Sequence, residues 1–201
     1  MAAQPAAHPQ PDRNTASVGE QHVVMRNVSW KLLTHIPAND EERRVPRIAF
    51  DDGDLEFTSP SRWHEVVSLS LAQLIVHVAC DRGMDVIQTG PTTITRPERR
   101  VAFEPDCGFF IQHAPAARRD DRSIFPEGFP PDLVIEVEIT PALVDRLPIL
   151  SALSVPEIWR ATGTAVTMLA LAADGLYAPV ETSLALPGLT SAKVTEFMAL
   201  H

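Results

Sequence analysis

The run DLVIEVEI, residues 132–139, constrains the fold more than any other part of this sequence. Its alternating apolar residues are typical of a β-strand, but Glu136 and Glu138 occupy positions inside it. Successive side chains of a strand point to opposite faces, so the two glutamates share one face and lie about 6.7 Å apart. A charged group that is buried without a partner is costly, so these acids must be solvated, paired or bound to a cation.

A second acid interrupts the apolar run VAFEPDCGFFI at residues 101–111. Asp106 follows Pro105, which indicates a bend or a strand edge. A neighbouring strand at about 4.8 Å would bring the Asp106 carboxylate to Glu136. The sequence therefore predicts that Asp106 and Glu136 form one site, whereas for Glu138 alone a half-exposed strand face is the better interpretation.

Two carboxylates on adjacent strands favour a particular chemistry. With water and a backbone carbonyl, they suit an octahedral Mg²⁺ or Mn²⁺ ion. Such an ion supports phosphodiester hydrolysis, because it stabilises charge on the phosphate and lowers the pKa of the attacking water. The pair Asp106 and Glu136 is therefore a candidate metal site.

The rest of the chain alternates signals for strands and helices. RIAFDDGDLEFT, residues 47–58, is typical of a hairpin around an Asp-Gly turn, and Ser61 is placed to cap the helix that follows. Three strands are predicted within residues 84–111 and three within 157–182. A short helix is predicted over 142–153, and a closing helix at the end of the sequence.

Length and composition favour one domain. With 201 residues, 45% of them hydrophobic, the chain can bury one sizeable core. Residues 1–22 contain Pro, Ala and polar residues without the apolar segment of a secretory signal, so we interpret them as a disordered leader and 23–201 as a single domain. No apolar run approaches the roughly eighteen residues of a membrane span. We therefore expect a cytoplasmic protein without a membrane partner.

The net charge of −9 argues against a strongly basic nucleic-acid-binding surface. Counterion release on binding requires Lys and Arg along the phosphates. A nuclease is still compatible with this charge, because it needs an acidic metal site inside a locally basic cleft. Net charge averages over both.

Five segments, taken in order, resemble a known family. They are FTSPSRWHEVV (57–67), EPD (104–106), PDLVIEVEIT (131–140), DRLPILSALSVPEIWR (145–160) and ETSLALPGL (181–189). The combination resembles the PD-(D/E)xK nuclease superfamily and, within it, the Uma-two family of restriction-endonuclease-like proteins, from about residue 45 to 200.

The resemblance implies an α/β, restriction-endonuclease-like fold with a central mixed β-sheet flanked by helices. The implied function is that of a metal-dependent endonuclease that uses Mg²⁺ or Mn²⁺ and acts on nucleic acid, with DNA as the expected substrate. Asp106 and Glu136 match the metal ligands. Glu65 matches an acid at the start of the first helix that contacts the metal or its water. A homodimer is expected by analogy with restriction enzymes, since cutting both strands needs two sites.

The sequence departs from the family pattern at the catalytic lysine. The superfamily motif places lysine where this chain has Glu138, and relatives often carry lysine on the next helix, where this chain has Arg146. Arginine can hold a phosphate or orient a water, but its pKa above about 12 makes it a poor general base. Arg146 is therefore a candidate positioning residue. His64 and Glu138 are second-rank site residues. A histidine at the edge of a helical core face is usually structural, and Glu138 is better interpreted as part of a half-exposed strand face.

Two other interpretations stay open at this point. The first is a catalytically impaired relative that acts as a nucleic-acid-binding or protein-interaction module. Loss of the lysine favours that module, and retention of Glu65, Asp106 and Glu136 favours the enzyme. The second is an α/β domain whose acids are only surface residues. It predicts that Asp106 and Glu136 lie far apart.

Overall fold

A computed structural model describes residues 20–36, 46–118 and 129–200. Within these ranges the strands are β1 (Gln21–Met25), β2 (Arg47–Asp51), β3 (Asp54–Ser59), β4 (Ile87–Gly90), β5 (Ile94–Arg96), β6 (Val101–Phe103), β7 (Cys107–Phe110), β8 (Leu133–Val137), β9 (Glu157–Thr162), β10 (Ala165–Leu171) and β11 (Tyr177–Val180). The α-helices of the same ranges are α1 (Trp30–Leu33), α2 (Arg62–Asp81), α3 (Ala114–Ala117), α4 (Arg146–Ala152) and α5 (Ser191–Met198).

These strands form two sheets in the described part of the chain. The first sheet has the order β1-β3-β2-β6-β5 and is antiparallel throughout. The second has the order β11-β10-β9-β8-β7-β4 and is mixed, because β8 and β9 run parallel while the other pairs are antiparallel. The predicted α/β class with helices flanking a mixed sheet is confirmed, and the strands are divided between two sheets.

The predicted hairpin is confirmed as β2 and β3. Its turn contains Asp52 with φ of 38° and Gly53 with φ of 112°. Backbone with positive φ is what an Asp-Gly turn supplies most readily. The hairpin joins β1 on one side and β6 on the other, so it forms the middle of the first sheet.

The run predicted as one strand, VAFEPDCGFFI, is two strands in different sheets. β6 belongs to the first sheet and β7 to the second, and residues 104–106 link them. Glu104 accepts hydrogen bonds from the Ile48 amide and the Thr93 hydroxyl, both in or beside the first sheet. Asp106 accepts one from the Val137 amide of the second sheet. The junction therefore carries one acid fastened to each sheet.

Helix α2 covers one face of the second sheet. Ser61 caps it by accepting a hydrogen bond from the His64 amide, as predicted. Its residues Val67, Leu71 and Ile75 are fully buried in a cluster with Ile135 of β8. By length and composition alone, α2 is long and apolar enough to cross a membrane, a test that the core helix of a soluble protein also passes.

Helix α4 packs where the two sheets meet. Ile149 and Leu150 are fully buried with Phe103 of the first sheet and Val134 of the second. The helix begins at Arg146, later than predicted, because the Asp145 side chain accepts a hydrogen bond from the Leu147 amide and caps it there.

The N-terminal strand begins inside the predicted leader. β1 starts at Gln21, and His22 pairs with Thr58 of β3. The last two residues assigned to the leader, Gln21 and His22, therefore belong to this strand. Residues 1–19 of that leader, and residues 119–128 of the loop before β8, lie outside the described ranges.

Candidate active site

The register of β7 and β8 brings Asp106 and Glu136 together. Cys107 pairs with Ile135 in an antiparallel ladder, so one further residue along each strand places Asp106 across from Glu136. Both acids are buried, with relative exposures of 5% and 4%. The Val137 amide donates to Asp106 Oδ2 at 2.6 Å. The interpretation that these acids are unrelated surface residues is therefore wrong.

Two cations contact the same oxygen of Asp106. Arg47 Nη1 lies 2.7 Å and His64 Nε2 2.8 Å from Asp106 Oδ1. Burial alone would raise the pKa of the Asp106 carboxyl, but the hydrogen bond from His64 and the charge of Arg47 outweigh burial and lower it. Asp106 is therefore held as a carboxylate.

Glu136 lies in a less favourable environment. Arg146 Nη1 donates to Glu136 Oε2 at 2.8 Å, but the buried Oε1 atom has no hydrogen-bond partner. Burial, and then repulsion by the Asp106 carboxylate, raise the pKa of Glu136 despite the Arg146 charge. The two carboxylates therefore repel each other, and Oε1 of Glu136 has no hydrogen-bond partner.

Arg146 points into the acidic cluster, where its Nη1 contacts Glu136 Oε2. It is the first residue of α4, and its Nη2 lies 3.4 Å from Thr58 Oγ1. Its guanidinium carbon is 5.9 Å from the centre of the Phe103 ring, and its Nε has no partner. The Arg146 side chain is thus mostly buried, at 16% exposure, and its buried Nε–H is an unused donor.

The remaining predicted acids lie at the edges of the site. Glu65 Oε1 accepts from Arg47 Nη2 at 2.9 Å, so Glu65 joins Asp106 through Arg47 rather than by direct contact. Its side chain is 44% exposed. Glu138 Oε2 lies 3.3 Å from Arg160 Nε and is partly exposed.

His64 belongs to a buried network that sequence reasoning did not find. Its Nδ1 contacts Glu20, whose Oε2 accepts hydrogen bonds from the amide and hydroxyl of Thr140 at 3.0 and 2.8 Å. Burial disfavours a charged imidazole, but the hydrogen bonds to Asp106 and Glu20 dominate and raise the pKa of His64 to about 9. Burial would likewise raise the pKa of Glu20, yet the hydrogen bonds from His64 and Thr140 lower it to about 2.

Glu56 and Arg47 were also missed. Glu56 is fully buried and accepts hydrogen bonds from His22 Nδ1 at 2.7 Å and from the Leu143 and Val144 amides. The sequence did contain a signal for Glu56, because this residue interrupts the apolar alternation of β3 as Glu136 interrupts that of β8. Arg47 gave no comparable signal, since an arginine at the start of a strand is usually solvated.

The acids line two different cavities. One, of about 790 Å³, is lined by Arg47, Glu65 and Asp106, together with other side chains that include Ser59, Ser61, Arg62 and Gln88. The other, of about 320 Å³, is lined by Glu136, Glu138, Arg146 and Arg160 among others. The Asp106–Glu136 pair thus lies between two openings.

The acceptor capacity of the pair fits a divalent cation with few protein ligands. A carboxylate has about four lone-pair sites, of which Asp106 uses three and Glu136 uses one. The described residues contain no group of three or more His, Cys, Asp or Glu that could hold a metal ion. Mg²⁺ is commonly bound through only one or two carboxylates, with waters and substrate phosphates as the other ligands. The unpartnered Oε1 of Glu136 is the atom that such an ion would satisfy.

Protein stability is expected to fall as the pH rises through the titration of His64. The folded-state pKa of about 9 lies above the ordinary 6.5, so the stabilisation is complete below pH 6.5 and is lost as the pH approaches and passes 9. The groups that contact the ring are Glu20, Asp106 and Arg47. At about 1.4 kcal/mol per pKa unit, the loss is at most about 3–4 kcal/mol.

Chemical denaturation between pH 6 and 9.5 measures this loss. His64→Gln is expected to have a flatter pH profile of unfolding free energy than the parent, and His77→Gln, an exposed histidine on the same helix, should follow the parent. Parallel profiles for the parent and His64→Gln would contradict the prediction.

Known proteins agree with this fold and order of motifs. A family model described as "Uma2: Putative restriction endonuclease" matches residues 30–199. The chain belongs to the Uma2 family. No curated protein matches it. The match confirms the resemblance found in the sequence and supports a nuclease at the level of the family.

One solved structure has a fold similar to that of this Uma2 chain. It is described as "a putative nuclease belonging to DUF820" from Anabaena variabilis. The two chains share 12% sequence identity with a TM-score of 0.57, over 85% of this chain and 99% of the other. At this identity the comparison supports the fold alone.

Proposed function

We propose that this Uma2 chain is a metal-dependent endonuclease that hydrolyses phosphodiester bonds in DNA with Mg²⁺ or Mn²⁺, acting in the cytoplasm as a homodimer. The observation that carries the proposal is the buried, unpartnered Oε1 of Glu136 in register with Asp106. The nuclease family and the nuclease-like fold support it at a coarser level.

The acidic and basic residues of the site have different roles in this proposal. Asp106 and Glu136 would hold the ion, which when bound would stabilise negative charge on the phosphate and lower the pKa of a bound water. Arg146 donates to Glu136 Oε2 and would position the phosphate or the water. Glu65 acts through Arg47 as an auxiliary acid at the opening of the larger cavity.

Cleavage of supercoiled plasmid with Mg²⁺ or Mn²⁺ tests the function. The parent is expected to nick or linearise the plasmid, and Asp106→Ala is expected to lose this activity because one of two metal ligands is gone. The matched control is Asp85→Ala, which removes an exposed aspartate paired with Arg118 at the surface. Cleavage by Asp106→Ala at the parental rate would overturn the proposed role of the site.

A second candidate function is favoured by one observation: an arginine neutralises the charge of each of the two acids. Arg47 pairs with Asp106 and Arg146 with Glu136, while Glu138 stands where the superfamily has lysine. This arrangement suits a nucleic-acid-binding module of nuclease fold that does not turn over. Oligonucleotide binding without cleavage under either metal would favour the module over the enzyme.

A further inference from the structure

Arg47 occupies a position between the acidic site and the larger cavity. It begins β2, and its side chain is only 12% exposed. One terminal nitrogen contacts Asp106 at 2.7 Å and the other contacts Glu65 at 2.9 Å. The same residue lines the cavity of about 790 Å³. Arg47 therefore both lines this cavity and contacts Asp106, which lines it as well.

Asp106 and Glu65 each contact one terminal nitrogen of the Arg47 guanidinium, and they do not use all of its N–H donors. A guanidinium has five N–H groups in a planar fork, and this fork matches two oxygens of one phosphate better than single oxygens of two separate acids. Of the two acids, Glu65 is the exposed one and can turn to water. The fork can therefore exchange Glu65 for a phosphate without losing Asp106.

The cavity is lined by two arginines, three acids, neutral polar groups and several apolar side chains, and the arginines and hydroxyls are the groups that could contact a phosphate. Ser59, Ser61 and Gln88 line it with hydroxyl and amide groups, and Arg62 adds a second cation at the start of α2. Its volume lies within the range of about 300–1,000 Å³ that is usual for ligand sites. Because the chain as a whole has a net charge of −9, contacts to a phosphate backbone must come from local cations of this kind.

We propose that Arg47 is a substrate-positioning residue that holds a backbone phosphate of the nucleic acid in this cavity, next to Asp106. The proposal rests on the proposed function for its substrate class. It assigns to Arg47 two alternative partners: Glu65 in the free protein and a phosphodiester in the complex.

Binding measured without divalent metal separates positioning from cleavage. Fluorescence anisotropy of labelled single- and double-stranded oligonucleotides in EDTA is expected to show about tenfold weaker binding for Arg47→Gln, and a salt dependence reduced by about one ion. Arg47→Lys should retain part of the affinity. Arg100→Gln is the matched control, because Arg100 is exposed and pairs with Asp52 on the surface. Circular dichroism melting establishes that each variant is folded.

Glu65→Gln is expected to change binding in the opposite direction, in a protein that keeps Arg47. Release of Arg47 from Glu65 should tighten oligonucleotide binding about threefold or more, and this gain should shrink when Arg47→Gln is also present. Equal gains with and without Arg47 would contradict the exchange of partners. In Mg²⁺ or Mn²⁺, Arg47→Gln should raise KM more than it lowers kcat.

The outcomes distinguish this inference from the proposed function. If the parent binds but never cleaves, and Arg47→Gln binds more weakly, the inference holds and the nuclease proposal fails. If the parent cleaves and Arg47→Gln has the parental KM and salt dependence, the inference is wrong and the nuclease proposal stands. No oligonucleotide binding by the parent in EDTA would also overturn the inference.

Discussion

Glu136→Gln is expected to give a protein that no longer cleaves nucleic acid but unfolds at a higher temperature than the parent. The substitution removes the charge of a proposed metal ligand, and loss of an electrostatic partner of this kind costs on the order of a thousandfold in rate. It also removes a charge that the buried site disfavours. Glu136 has a raised pKa, an oxygen without a partner and a repulsive neighbour in Asp106.

The gain in stability should depend on pH in a defined direction. Because the folded-state pKa of Glu136 is raised from 4.5 to about 8, the unfolded chain loses this proton first, and the parent loses stability as the pH rises from 4.5 to about 8. Glu136→Gln should therefore have the same free energy of unfolding as the parent near pH 4 and a higher one near pH 8.

Unfolding by urea at both pH values measures this gain. The control is Glu138→Gln, which changes the next acid on the same strand face, where Arg160 and solvent already stabilise the charge. An active Glu136→Gln protein would remove Glu136 from the metal site. A variant less stable than the parent at pH 8 would show that Arg146 needs the full charge of Glu136.

Arg146→Ala is expected to lower metal-dependent cleavage by about a hundred- to a thousandfold. Its guanidinium donates to Glu136 Oε2 from the first turn of α4 and retains an unused Nε donor. A scissile phosphate would take over these donors in the complex. Arg146→Lys should preserve the rate or raise it, because lysine keeps the charge and can also lose a proton.

Single-turnover cleavage with Mn²⁺ measures these rates, with melting temperatures to establish that the variants fold. Arg160→Ala is the matched control, because Arg160 lines the same cavity but is partly exposed and pairs with Glu138. Parental rates in Arg146→Ala would exclude Arg146 from the mechanism. If neither the parent nor Arg146→Lys cleaves under any divalent metal, the non-enzymatic module is the better description.

The sequence predicted those parts of the site that depend on one strand or one helix. Alternation along 132–139 placed Glu136 on a buried face, and the position of Asp106 after Pro105 placed it beside that face. The helix after Glu136 directed Arg146 toward the acids. These relations follow from local geometry, which residue spacing encodes.

What the sequence did not predict depends on which strands become neighbours. Arg47 reaches Asp106 because β2 and β6 pair in the first sheet while β7 lies in the second. Glu20 reaches His64 because β1 joins the same sheet from far along the chain. Nothing in the spacing of residues 20, 47, 64 and 106 reveals these contacts. The apolar continuity of 101–111 also concealed the break between the two sheets.

The link at residues 104–106 gives the site a mechanical property. Glu104 is fastened to the first sheet and Asp106 to the second, while Arg47 extends from the first sheet to Asp106. The distance between Arg47 and Asp106 therefore depends on how the two sheets are oriented relative to each other. Helix α4 stabilises this orientation, because it packs against both sheets. A change in the packing of α4 would therefore alter the contact between Arg47 and Asp106, and would also move Arg146 relative to Glu136.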